Sequence, residues 1–292
     1  MCKRINRIFL QILAMLLLAD FTVCAQKTMP YPNQQSWTKP YPPFRVAGNL
    51  YYVGTEDLAC YLVTTSSGHI LINTGVAGSD SLIQAGMAAL GFRYGDIKIL
   101  LCTHAHFDHV GAMAAVKKAT GAAMMVHSGD AGLLADGGKS DYALGDAGSL
   151  FSPVAVDRVL HNGDTVSLGG MHILVLHHPG HTKGACSFLF DVKDEQRSYR
   201  VLIANMPSIL EQTKLSGMPG YSTVGTDYAH TLDTLKKIQF DIWLSSHASQ
   251  FHLHEKRRPG QGYNPAVFID RAGFDEAVDK LQAAYRKNLG EK

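Results

Sequence analysis

Thr103-His104-Ala105-His106-Phe107-Asp108-His109 places three imidazoles and one carboxylate within six consecutive positions. On an extended segment His104, His106 and Asp108 share one side, because side chains alternate with a period of two. His109 then requires the chain to turn, which the helix-prone Val110-Gly111-Ala112-Met113-Ala114-Ala115-Val116 supplies. Upstream, Ile97-Lys98-Ile99-Leu100-Leu101-Cys102 reads as a buried strand. The cluster therefore occupies a loop after a strand and before a helix, where α/β sheets tend to place ligands. Nitrogen and oxygen donors at this density suit a zinc pair better than a loop of solvated histidines.

Two later histidines complete a candidate site. His181 lies in the turn His177-His178-Pro179-Gly180-His181-Thr182-Lys183-Gly184, between two strand-like runs. His247 follows the short apolar strand Asp241-Ile242-Trp243-Leu244. Loops at one end of a sheet can converge, and the sum is five histidines and one aspartate. That is enough for two zinc ions with positions left open for water.

H-x-H-x-D-H, then a lone P-G-H-T turn, then a histidine after a strand resembles the metallo-β-lactamase superfamily. The resemblance runs from about Tyr41 to Asn288. In detail the pattern is similar to subclass B3, whose members use no cysteine ligand. The stretches His178–Gly184, Ala204-Asn205-Met206-Pro207-Ser208 and Ser246-His247-Ala248-Ser249-Gln250-Phe251 resemble its GOB-type branch. Members of that branch carry glutamine where this chain has His104, so the departure implies a complete first site. The resemblance implies a four-layer αβ/βα sandwich, two β-sheets flanked by helices, and two zinc ions per chain. It assigns His104, His106 and His181 to the first zinc, and Asp108, His109 and His247 to the second.

The implied reaction is hydrolysis of the β-lactam amide of penicillins, cephalosporins and carbapenems, conferring antibiotic resistance. Two zinc ions roughly 3.5–4 Å apart share a water acidified to a pKa near 7, which serves as nucleophile. Asp108 orients it, and His247 completes the pocket that stabilises the departing nitrogen. Proton delivery is expected from a bound water, since no unassigned carboxylate near the motifs offers itself. Thioesterases, lactonases and phosphodiesterases of the superfamily usually add a bridging aspartate after the P-G-H-T turn. The corresponding window Val201–Ser208 contains no carboxylate, which favours the lactamase reading. Subclass B3 members usually have two serines there; Met206 replaces one and Ser208 keeps the other. Ser208 and Lys183 are candidates for binding the substrate carboxylate, with plain surface roles left open. The alternatives are a lactonase or thioesterase on the same fold, or an exported zinc-binding protein without turnover.

Length and composition agree with one globular domain over residues 26–292: 46% of the 292 residues are hydrophobic and 18% charged. The net charge of +2 and the short Lys256-Arg257-Arg258 run give no basis for nucleic-acid binding. Lys3, Arg4 and Arg7, an apolar stretch from Ile8 to Ala19, and Val23-Cys24-Ala25 read as a signal peptide over 1–25. Phe21-Thr22-Val23 is a poor lipobox for Cys24, so the mature chain is expected in the periplasm without lasting membrane association. It is expected to act as a monomer on a small-molecule substrate. Cys60, Cys102 and Cys186 remain after cleavage; at most one disulfide is possible, and all three read as small buried apolar residues.

Leu50–Val53, Cys60–Val63, His69–Ile72, Ala122–Val126, Met171–Leu176, Cys186–Asp191 and Tyr199–Ala204 read as strands. Ser79 or Asp80 is expected to cap a helix to Leu90, and Tyr228–Ile238 and Phe274–Asn288 read as further helices. Asp136–Ser149, with six glycines or serines among fourteen residues, reads as a mobile loop near the site mouth. His177 and His178 are expected to support the site or face solvent. His69, His127, His161, His172, His230, His252 and His254 are dispersed. Asn73 stands where the superfamily usually has an aspartate beneath the metal loop, keeping the shape but losing the charge.

Overall fold

The structure is a computed structural model that describes residues 35–290, so the expected signal peptide lies outside the described residues. The first sheet has seven strands in the order β1 (Phe44–Ala47), β2 (Leu50–Tyr52), β3 (Tyr61–Thr65), β4 (Gly68–Ile72), β5 (Ile97–Leu101), β6 (Ala123–His127) and β7 (Arg158–Leu160). The second has five, in the spatial order β12 (Ile242–Ser245), β11 (Ser198–Ala204), β10 (Cys186–Lys193), β9 (Met171–His177) and β8 (Thr165–Leu168). Both sheets are mixed. The β4–β5, β5–β6, β6–β7 and β11–β12 pairs are parallel, and the remaining pairs are antiparallel.

Alternation along the strands builds the layers. On β3 and β4, Tyr61, Val63, Ile70 and Ile72 face the second sheet and meet Val175, Phe188 and Val201. Leu62 and Leu71 point the other way and pack with Leu100, Ile83 and Met87 of the helix Ser79–Ala89, and Val116 of the helix Met113–Thr120. Strands covered on both faces read as continuous apolar runs rather than as alternation, which is why β4 and β5 stand out in the sequence. The helices Val224–Leu235 and Arg271–Leu289 cover the second sheet, where Phe274 packs edge-on against Trp243 at 5.3 Å. The result is the expected two sheets flanked by helices.

Three strands escaped the sequence reading because they lack an apolar run. Only Leu160 of β7 and Val166 of β8 are buried, and β1 is four residues long. The first helix also starts differently: Gly78, in the left-handed region at φ 89°, is its cap residue, and neither Ser79 nor Asp80 fills that role. Cys60, Cys102 and Cys186 are buried free thiols.

The parallel pairs fix where a site can form. The C-terminal ends of β4, β5, β11 and β12 lie along one edge of the sandwich, together with the β9–β10 turn. The segments that leave these ends carry Asn73, the His104–His109 run, His181, Ser208 and His247.

Candidate metal centre

His104 and His106 follow β5, and Asp108 does not continue an extended alternation. His106 is the cap residue (φ −90°, ψ 153°) of a single helical turn, Phe107–Val110, that carries both Asp108 and His109. The extended reading of Asp108 is therefore corrected: the turn begins at Phe107, two residues earlier, and swings Asp108 and His109 together. Asn73, at φ 63°, accepts hydrogen bonds through Oδ1 from the Thr103 amide (3.0 Å) and the Thr103 hydroxyl (3.3 Å). Thr103 Oγ1 also lies 2.8 Å from Ser246 Oγ, tying the first loop to the residue before His247.

All six expected ligands converge. Donor atoms of His104, His106 and His181 lie within 4.8 Å of one another, and so do those of His104, Asp108 and His109. The His104 and His109 rings are 4.2 Å apart, so the two groups share an edge. Asp108 Oδ2 sits 3.1 Å from His109 Nε2 and 3.3 Å from His247 Nε2. A tetrahedral zinc site with bonds of ~2.1 Å has donor–donor edges of about 3.3 Å, so this spacing suits a cation between them. His109 Nδ1 is buried with no hydrogen-bond partner, and its Nε2 meets only the Asp108 carboxylate. An imidazole left so is costly to bury unless a cation takes up its lone pair.

The protein also fixes which nitrogen faces inward. His106 Nε2 donates to Asp141 Oδ2 (3.2 Å), His181 Nδ1 to the Ser208 carbonyl (2.7 Å), and His247 Nδ1 to Asp57 Oδ2 (3.0 Å). The free nitrogens are then Nδ1 of His106 and Nε2 of His181 and His247, the arrangement by which outer partners set the tautomer of metal-binding histidines.

Electrostatics divide the cluster. Burial, reinforced by the neighbouring imidazoles, pushes His104 well below its ordinary value and His181 down to about 3. Burial also lowers His247, but hydrogen bonds to Asp108 and Asp57 outweigh it and lift the group to about 9. Burial opposes ionisation of Asp108, yet His109 and His247 hold its carboxyl well below the usual range.

The profile of the metallo-beta-lactamase superfamily matches residues 54–194. A β-lactamase from Chitinophaga pinensis superposes with a TM-score of 0.88 at 61% identity, covering 90% of this chain and 99% of that one. A class B3 di-zinc metallo-β-lactamase, LRA-12 from an Alaskan soil metagenome, matches at 57% with the same coverage and TM-score. The chain belongs to the subclass B3 metallo-β-lactamases. The GOB-type resemblance holds as well: GOB-18 from Elizabethkingia meningoseptica is 50% identical over 89% of this chain and 97% of its own, with a TM-score of 0.88. Among curated sequences, the chain matches about half the length (49%) of a probable metallo-hydrolase from Burkholderia pseudomallei, at 31% identity.

Against this B3 frame, sequence reasoning missed three carboxylates, and the expectation that none lay near the motifs is corrected. Asp57 accepts from His247 Nδ1, the Ser249 amide (3.0 Å) and Trp37 Nε1 (3.2 Å). Asp130, fully buried, accepts from the Ala105 amide (2.8 Å), Thr182 Oγ1 (2.8 Å) and the Gly184 amide (2.7 Å), which clamps the two ligand loops together. Asp141 accepts from His106 and from the amides of Ala143 (2.8 Å) and Leu144 (2.7 Å). Asp141 lies in the Gly- and Ser-rich 136–149 segment, where the neighbouring Tyr142 hydroxyl donates to the Gly180 carbonyl at 2.9 Å. Isolated aspartates in turns carry no local pattern; only their approach to distant histidines distinguishes them.

The remaining histidines stay outside the cluster. His178 is buried, with Nδ1 hydrogen-bonded at 2.6 Å to Ser187 Oγ, which also accepts from the Asn205 amide. His127 and His177 stack at 3.9 Å. Of the two candidate substrate-binding residues, Ser208 is exposed beside His181. The Lys183 ammonium instead lies 5.6 Å over the Tyr221 ring.

Proposed function

We propose that this protein is a periplasmic zinc β-lactamase that opens the amide of penicillins, cephalosporins and carbapenems, acting as a monomer after removal of residues 1–25. The observation that carries the reading is the convergence of six donors in two adjoining groups, in a chain that aligns over 99% of a β-lactamase. His104, His106 and His181 would hold one zinc, and Asp108, His109 and His247 the other. The bound pair would supply an acidified water and a Lewis acid for the amide carbonyl.

The chain's own groups do the positioning. Asp108 remains a carboxylate because His109 and His247 stabilise its charge, so one oxygen can accept a hydrogen bond from the attacking water. Asp57 holds the proton of His247 at Nδ1 and turns Nε2 inward. Asp130 keeps the His104–His109 and His181 loops in register. The exposed Ser208 hydroxyl would donate to the substrate carboxylate. The Val201–Ser208 window contains no carboxylate, so the chain lacks the bridging aspartate usual in the thioesterase, lactonase and phosphodiesterase relatives.

The test is turnover of meropenem and of a chromogenic cephalosporin by the protein beginning at Gln26, with and without chelator, alongside zinc content. Chelator-sensitive turnover with about two zinc ions per chain is the expected result. Full zinc loading without turnover of either compound would overturn it and bring lactone and thioester substrates forward.

A further inference from the structure

Lys183 follows the ligand His181 by two residues, yet it serves a different space. Its side chain lines a cavity of about 300 Å³ walled by Ser128, Gly129, Gly132, Leu133, Ser140, Asp141 and Tyr142, none of them among the six convergent donors. The donors in this cavity, Lys183, Ser128 and Ser140, face solvent. Among the described residues the Lys183 ammonium has no ion-pair partner, only the face of Tyr221. The hydroxyls of Ser128 and Ser140 likewise have no protein partner. The single carboxylate in the wall, Asp141, is already taken up by His106 and two backbone amides, and its side chain is 2% exposed. Leu133 and the Tyr142 ring supply the apolar part.

One ammonium and two solvent-facing hydroxyls lining a half-apolar cavity suit an oxyanion on a small organic body, since charged donors bind carboxylates most strongly. We infer that this cavity is a second ligand site, for a small organic carboxylate, seated behind the metal centre. Asp141 holds His106 and Tyr142 holds the turn carrying His181, so the site and the metal cluster share a wall.

Glycine geometry provides the means to test it. A Cβ at Gly132 would meet only Ser140 Oγ, at 4.0 Å, and its backbone is helical, so larger residues enter the open space without strain. Gly129 lacks that freedom, because a Cβ there would collide with the Lys183 backbone.

The probe is benzoate, titrated into the zinc-loaded protein and followed by amide chemical shifts. Saturable shifts are expected at Ser128–Leu133 and Ser140–Tyr142. Lys183→Ala should weaken binding by about tenfold or more, the loss of one charge-assisted contact, and Lys183→Arg should stay within about threefold of the parent. Gly132→Leu should abolish the shifts, while Gly132→Ala, which leaves most of the space open, should preserve them. Shifts confined to the histidine ligands would mean that benzoate sits on the metal, and would overturn the site. So would binding that survives both Lys183→Ala and Gly132→Leu, or no saturable binding at all. The readout is binding rather than turnover, so its failure is distinct from failure of the hydrolytic reading.

Discussion

The two halves of the metal centre grow from one seven-residue motif but are backed differently. The three-histidine half is closed: His104, His106 and His181 are each 7% exposed or less, and burial with mutual proximity keeps His104 and His181 neutral. The other half is more open and charge-compensated. The side chains of His247 and Asp108 are 18% and 11% exposed, and His247 is bracketed by two carboxylates. Two neutral buried imidazoles, with His106 held by the Asp141 carboxylate, make a pocket suited to retaining a cation. A carboxylate pocket near solvent keeps its cation within reach of water and substrate.

The largest expected effect comes from Asp108→Asn, which removes the charge between His109 and His247. Turnover of the chromogenic cephalosporin should fall by about a thousandfold, the several kcal/mol attributed to Lewis-acid stabilisation, and zinc content should drop to about one per chain. Equal loss of both ions would break the distinction between the halves. Asp57→Asn and Asp141→Asn sharpen it. Each should weaken zinc retention by about 10–100-fold, the usual cost of losing an outer partner, but in different halves. Chelator competition should therefore release the Asp108-side ion first in Asp57→Asn, and the three-histidine ion more readily in Asp141→Asn.

Smaller effects concern the clamp between the loops. Gly184→Ala brings a Cβ into collision with the Asp130 amide and should cost about 1–3 kcal/mol, as overpacking does, visible as a lower Tm. If Tm is unchanged, Asp130 is not the rigid tie between His106 and His181. The smallest effect is on pH dependence. Burial lowers His178 to about 3, below its ordinary 6.5. Below pH 6.5 the unfolded chain binds a proton that the folded chain refuses, so stability falls as pH drops from there toward 3. One such group contributes a slope of about 1.4 kcal/mol per pH unit. Replacing His178→Gln should flatten the Tm decline between pH 7 and 5; an unchanged slope would show that His178 is not the group responsible.

How much was legible follows from how local each signal is. The His104–His109 run and the P-G-H-T turn are contiguous, so their residue types announced the chemistry directly. His247 needed only a short apolar strand before it. Asp57, Asp130 and Asp141 had no such context, because each acts on a residue dozens of positions away: Asp57 on His247, Asp130 on Thr182, Asp141 on His106. The same limit applies to strands. β4 and β5, buried on both faces, wrote themselves as apolar runs, whereas β7 and β8 bury one residue each and left no pattern. Lys183 follows His181 by two residues in sequence, and only the fold shows its ammonium over the Tyr221 ring and its side chain lining the cavity beside Asp141.

Residue type and periodicity, which act over a few positions, brought out the candidate donors, the strand–loop–helix setting of the main motif and the layered fold. Only the tertiary structure decided which nitrogen of each histidine faces inward and which aspartates hold them. It also decided that the turn begins at Phe107 rather than after Asp108. Those outcomes depend on contacts between the ends of parallel strands, and chain separation carries no information about which ends meet.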